Sequence, residues 1–154
     1  MMLKSIIPHA STFSVFINTN YNSPDGTQLL TPQHWDIAEK LLSFLELFYD
    51  ASVTLSSVYY PTSPLVVHHI LAIATHLKEY ENDLIMRDAV VAMKTKYLKY
   101  WKEIPILYAF AFILDPRAKL SGFGNVLSLL SDAVGVDYSV YFTNVRDKLP
   151  EVYG

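Results

Sequence analysis

Prolines placed directly behind capping side chains cut this chain into short rods. Thr31-Pro32, Ser63-Pro64 and Asp115-Pro116 each join a residue favoured at a helix N-cap to the residue best suited to the first helical position, where its missing N–H costs nothing. Ile104 precedes Pro105 and is thereby pushed out of the α region, so a helix should end there and Pro105 should begin the next. Between these breaks apolar residues recur on a helical period. Trp35, Ala38, Leu41, Leu42, Leu45, Phe48, Tyr49 and Ser52 form one stripe, opposite Asp36, Glu39, Glu46 and Asp50, with Leu47 on the polar side and the helix ending near Ser56. Val67, Ile70, Leu71, Ala74 and Leu77 form a second stripe, to about Glu81. Asn82 or Asp83 caps a third helix, whose apolar face is Ile85, Ala89, Met93, Tyr97, Tyr100 and Trp101.

Residues 106–114 are almost wholly apolar, which predicts a central core helix buried nearly all round, with the lysine-bearing third helix beside it. At about 10 residues the run is too short for a bilayer, which needs about 20. Gly122 and Gly124 suggest a loop. Val126, Leu127, Leu130 and Ala133 then predict a short helix closed by Gly135. Asp137 caps a last helix carrying Tyr138, Tyr141, Phe142, Val145 and Leu149, which Pro150 should stop. Residues 1–30 form a poorly defined N-terminal segment. Within it, 12–17 (TFSVFI) reads as a short strand and 18–26 (NTNYNSPDG) as a turn-rich loop, while 59–62 (YYPT) is a connector. The sum is an all-α, multi-helix domain of six or seven helices, concentrated in 31–154.

A chain of 154 residues suggests one domain, able to bury about 68–70% of its unfolded surface without staples. It has no cysteine, which removes disulfides and thiolate metal sites. The start, MMLKSIIPHASTF, makes a poor signal peptide, because Pro8 and His9 interrupt the apolar run. The net charge of −3 demands no polyanionic partner, so any such role must rest on a local patch. One patch stands out: Lys94, Lys96, Lys99, Lys102, Arg117 and Lys119, interleaved with tyrosines and a tryptophan. Four phosphate contacts from it would give a log–log salt slope of about −3.6. The plainer reading is an exposed lysine face opposite a packed aromatic one.

Enzyme chemistry finds little to stand on. There is no Gly-rich phosphate loop, no nucleophile elbow and no His-Glu-x-x-His. His68, His69 and His76 share a helix, but His69 and His76 are about 10 Å apart in rise, too far for one ion, and read as polar-face histidines. The carboxylates at 36, 39, 46 and 50 read as a solvated face. Asp115 reads first as a cap that accepts a backbone N–H, with a site role as the alternative.

The order of landmarks runs Trp35, LSFLELFY at 42–49, Ser56-Ser57, Tyr60-Pro61-Thr62, Met93, Lys96-Tyr97, Lys99-Tyr100-Trp101, then Ile113-Leu114-Asp115-Pro116-Arg117 and Lys119. Over about residues 30–150 this resembles the central region of hAT-type transposases, in particular the plant Ricesleeper- and Daysleeper-like proteins. The resemblance implies the helical insertion of an interrupted RNase H-like fold. The family's chemistry is metal-dependent DNA cleavage and strand transfer by an Asp, Asp, Glu set, and those carboxylates lie outside the matched region. No catalytic residue, metal ligand or cofactor is therefore expected here. The expected role is a DNA-binding piece of a transposase-derived nuclear protein, a fragment without catalytic activity of its own, with Lys94, Lys99, Lys102, Arg117 and Lys119 as candidate DNA contacts. Trp35, Tyr60, Pro61, Tyr100, Trp101, Asp115, Pro116 and Arg117 are the candidate structural motif residues. The resemblance further implies a homodimer through a C-terminal region lying beyond these residues, and no membrane partner. The alternative is a helical protein-interaction or oligomerisation module without direct DNA contact.

Overall fold

Helix starts and stops punctuate the whole chain. A computed structural model describes residues 2–21, 26, 29–56 and 62–153, without the side chains of 152 and 153. The elements are α1 (Met2–Ile6), a 3-10 turn (Ile7–His9), α2 (Ala10–Asn20), α3 (Pro32–Leu55), α4 (Ser63–Glu79), α5 (Arg87–Trp101), α6 (Ile106–Ile113), α7 (Lys119–Val134) and α8 (Ser139–Tyr153). There is no strand among the described residues, so the protein is all-α as its periodicity predicts. The chain divides into two compact units, 1–48 and 49–154.

In the first unit the expected strand at 12–17 is helical, part of α2, which also takes in residues 18–20 of the expected loop. Strand propensity is a weak prior that packing overrides. Ala10, Ser14, Ile17 and Asn18 are the covered positions, at helical rather than alternating spacing, and two of them anchor the helix. The Trp35 indole N–H donates to Ser14 Oγ (2.7 Å). Asn18 bonds Leu30 twice, donating to its carbonyl (2.9 Å) and accepting from its N–H (3.1 Å). Pro32 begins α3 as expected, but the Thr31 hydroxyl does not cap it and has no hydrogen-bond partner. His34 instead accepts the Thr31 N–H at Nδ1 (3.2 Å), the return half of a capping box. The predicted α3 stripe is also rotated: Phe44, not Leu45, is buried, in ring contact with Phe48 at 5.4 Å.

In the second unit the core lies between α4 and α7. Val66, Val67, Ile70, Ala74 and Leu77 of α4 are buried, as are Phe123, Val126, Leu127, Leu130, Ala133 and Val134 of α7. The α6 helix packs on both, and α8 closes over α6 and α7. The expected central helix is therefore the third member of the core. Only Ala109 and Phe112 of α6 are fully buried, and Leu107 stays 68% exposed. An eight-residue apolar run has more greasy faces than its neighbours can cover, and surface leucines are common. The α5 helix packs mainly on α4, and meets α6 where Trp101 faces Tyr108 at 6.4 Å.

Two expected breaks are not breaks. Gly122 and Gly124 lie inside α7. At Gly124 a Cβ would sit 3.4 Å from the Phe142 ring, so the glycine lets α8 approach closely. Pro150 lies inside α8 near its end, and it and Arg146, whose carbonyl it leaves without an N–H partner, are exposed. Gly135 closes α7 in the left-handed conformation (φ 73°), as expected.

Candidate nucleic-acid interface

The lysine face is carried by α5. Asp83 starts the turn before it, accepting the N–H groups of Ile85 (2.9 Å) and Met86 (3.1 Å), as a cap should. Buried Met86, Val90 and Tyr97 set which side faces inward. The sequence pattern places Tyr97 on this side correctly but misses elsewhere: Ile85 and Ala89 are exposed, and so is Tyr100, at 66%. The Tyr97 hydroxyl donates to the Ile70 carbonyl of α4 (2.9 Å), and burial pushes its pKa far above the ordinary 10.0. With that side fixed, Lys96, Lys99 and the following Lys102 are exposed. Lys99 Nζ lies 6.0 Å from the centre of the Tyr100 ring, within cation–π reach.

The segment after α5 is pinned from α8. The Tyr138 hydroxyl donates to the Trp101 carbonyl (3.2 Å), and that of Tyr141 to the Ile104 carbonyl (2.6 Å). Burial raises both phenols, Tyr141 to about 12. These bonds hold α5's last turn and the approach to Pro105. The α5 helix ends at Trp101, before the expected Ile104. The periodicity assigned Tyr138 and Tyr141 to an apolar stripe and gave no sign of the hydroxyl contacts.

The five candidate cations fall into two groups and differ in their partners. Lys94, Lys99 and Lys102 belong to α5 and its C-cap. Arg117 and Lys119 follow α6, whose eight residues span about 12 Å. Lys94 Nζ is 2.8 Å from Glu81 Oε1, and its side chain is 24% exposed. Arg117 grips Asp115 with two bonds, Nε to Oδ1 (3.0 Å) and a terminal nitrogen to Oδ2 (2.7 Å). Asp115 Oδ1 also accepts the Arg117 N–H (3.0 Å), so the same carboxylate organises the turn before α7. The Arg117 hydrogen bonds hold the Asp115 carboxyl down at about 2. Among the described residues no carboxylate pairs with Lys99, Lys102 or Lys119. Lys119 begins α7 with φ 59°, a left-handed backbone unusual for a side chain. Sequence reading missed Glu81 because it meets Lys94 from another element, 13 residues away.

Of the other motif residues, Tyr100 is exposed. Trp35 anchors α2, Trp101 lies tilted beside Tyr108, and Pro116 lies in the turn that Asp115 organises. Tyr60 and Pro61, with the expected connector at 59–61, lie outside the described residues. His68 rests against the Phe112 ring at 4.8 Å, and His76 against Tyr80 at 4.9 Å. Among the described residues no group of three or more His, Asp or Glu side chains is placed to hold a metal ion. No helix of the described residues is long and apolar enough to cross a membrane.

Residues 64–154 match the family described as hAT-like transposase, RNase-H fold. The matched stretch begins in α4 and takes in the α4–α7 core, the lysine helix and the Asp115 turn. Among curated proteins, the chain is 26% identical over 157 aligned positions to zinc finger BED domain-containing protein RICESLEEPER 1 of Oryza sativa subsp. japonica, covering 99% of this chain and 21% of that protein. It is 33% identical over 89 positions to a putative AC transposase of Zea mays, covering 56% of the chain and 11% of the relative. It is 26% identical over 108 positions to zinc finger BED domain-containing protein DAYSLEEPER of Arabidopsis thaliana, covering 69% and 16%. The chain thus spans about a fifth of the length of the curated relatives it matches over most of its own length. No solved structure matches it.

Proposed function

The chain belongs to the hAT-like transposase family with an RNase-H fold, and from that premise we propose that it is a helical DNA-contacting part of a transposase-derived protein, without catalytic activity of its own. It acts in the nucleus, where its DNA is. DNA meets the exposed side of α5 and the turn before α7, where Lys94, Lys99, Lys102, Arg117 and Lys119 are the candidates for contact. The observation that carries this reading is the division of α5: Tyr97 is locked inward by its bond to Ile70, while Lys99 and Lys102 stay exposed without a carboxylate partner. Unpaired lysines on a rigid helix are what phosphate contact requires, and they need no base-specific geometry. The net charge of −3 leaves the local patch to do this work. Fluorescence anisotropy with a labelled duplex, titrated across a salt series, tests it. Affinity should fall steeply with salt, and should drop when Lys94, Lys99 and Lys102 are all changed to Ala. Flat, undetectable binding at low salt, or no loss in the triple variant, removes the reading.

A second reading has its own observation. Leu107 and Leu114 at the two ends of α6, with Leu129 and Val140 elsewhere in the second unit, are exposed apolar side chains. In a helical protein-interaction or oligomerisation module these would meet a partner chain or a second copy, and DNA contact would belong to other sequence. Light scattering and crosslinking that find only monomer remove it.

A further inference from the structure

Two of the five candidate cations already hold a carboxylate, and in each pair the carboxylate sits where a phosphate would. Arg117 meets Asp115 through two parallel bonds, the fork geometry by which guanidinium recognises phosphate. The same Asp115 Oδ1 accepts the Arg117 N–H, which ties the carboxylate to the turn. Lys94 is largely covered and bonded to Glu81. A DNA phosphate that captured either cation would leave an uncompensated carboxylate facing the polyanion. To DNA, each pair is neutral.

We propose that Glu81 and Asp115 act as built-in stand-ins for phosphate: they keep Lys94 and Arg117 out of the DNA contact and narrow the gripping set to Lys99, Lys102 and Lys119. This rests on the DNA-contact reading and deepens it, by separating cations that hold DNA from cations that hold the fold. Mild acid does not lift the restraint at Asp115, whose carboxyl stays ionised down to about 2.

The test is the salt slope of duplex binding by the whole chain and by charge-neutralising variants. Three gripping cations predict a log–log slope of about −2.7, and five predict about −4.5. Glu81→Gln and Asp115→Asn should each steepen the slope by about 0.9 and tighten binding at low salt, and the double variant should approach the five-cation value. Asparagine at 115 keeps an oxygen for the Arg117 N–H, and far-UV circular dichroism confirms that each variant is still helical. Lys94→Ala should leave the slope unchanged, and Lys99→Ala should flatten it by about 0.9. Asp88→Asn removes the same charge from exposed α5 surface without releasing a cation, and should not change the slope. A wild-type slope near the five-cation value, no steepening in Glu81→Gln and Asp115→Asn, or equal steepening in Asp88→Asn overturns the proposal while leaving DNA contact standing. No binding by either the wild type or the helical double variant at the lowest salt overturns the DNA reading, and this proposal with it.

Discussion

Tyr97 shows how one side chain links the fold to the candidate surface. Its ring fills space between α5 and α4, and its hydroxyl satisfies the Ile70 carbonyl. Tyr97→Phe should cost about 1 kcal/mol, read from urea unfolding. Tyr97, Tyr138 and Tyr141 all have raised pKa values, with burial as the main cause. In the unfolded chain these phenols ionise near 10, whereas the folded protein holds them neutral. The stability they contribute is therefore fully present below pH 10 and lost as pH rises toward 12 and beyond. Thermal unfolding between pH 9 and 12 should show this fall, and it should be shallower when all three are Phe. Asp115 works with the opposite sign. Its folded value of about 2 lies below the ordinary 3.8, so its contribution is present above 3.8 and lost as pH falls through about 2. The difference in unfolding midpoint between wild type and Asp115→Asn should close over that range. Residue roles of this kind were legible in the sequence where they are local. Asp137 and Gly135 cap or close where their neighbours said they would, whereas Asp83 serves the turn before α5, which begins only at Arg87 and has no side-chain cap. The contact of Tyr138 with Trp101, 37 residues away, leaves no trace in a sequence window.

Among the elements, α4 and the second half of α7 were the most legible. Both are long, strongly periodic and buried along one side, so the pattern and the packing agree. At α5 the pattern held at Tyr97 but was off by one position around the helix start, because Ile85 and Ala89 mimic an inward stripe while Met86 and Val90 form the real one. It failed for α2 because β-branched and aromatic residues imitate a strand. It failed at Gly124 because only the partner helix α8 explains a glycine there, and at Gly122 because helix packing on either side carries the chain through it. These two glycines should respond differently to substitution. Gly122→Ala meets Ala118 at 3.9 Å, an ordinary contact, and should stabilise by about 0.5–1 kcal/mol through helix propensity. Gly124→Ala meets the Phe142 ring at 3.4 Å and should gain less. Differential scanning calorimetry of the two variants measures this, and equal gains would mean that the α7–α8 approach is looser than described. At the centre, Phe123→Ala should cost about 3–5 kcal/mol by denaturant unfolding, because Phe123 is fully buried against Phe112 and Phe142.

For the chain taken entire, the sequence supports the all-α class and the family, and the candidate interface is where it was least informative. The five basic positions were visible, but which of them are free depends on Glu81 and Asp115, whose pairing with Lys94 and Arg117 appears only in three dimensions. Net charge gives no guide, since a chain at −3 can still present unpaired lysines on one helix. The claim on which the functional account turns is that Lys99 and Lys102, on the outward side of α5, carry DNA contact. The most direct measurement is duplex affinity at 50 mM and 200 mM salt for wild type and for a Lys99→Ala, Lys102→Ala double variant shown by circular dichroism to be folded. The account predicts salt-dependent binding by the wild type, and a salt slope shallower by about 1.8 in the variant. Equal affinity and equal slope in the two proteins would contradict it.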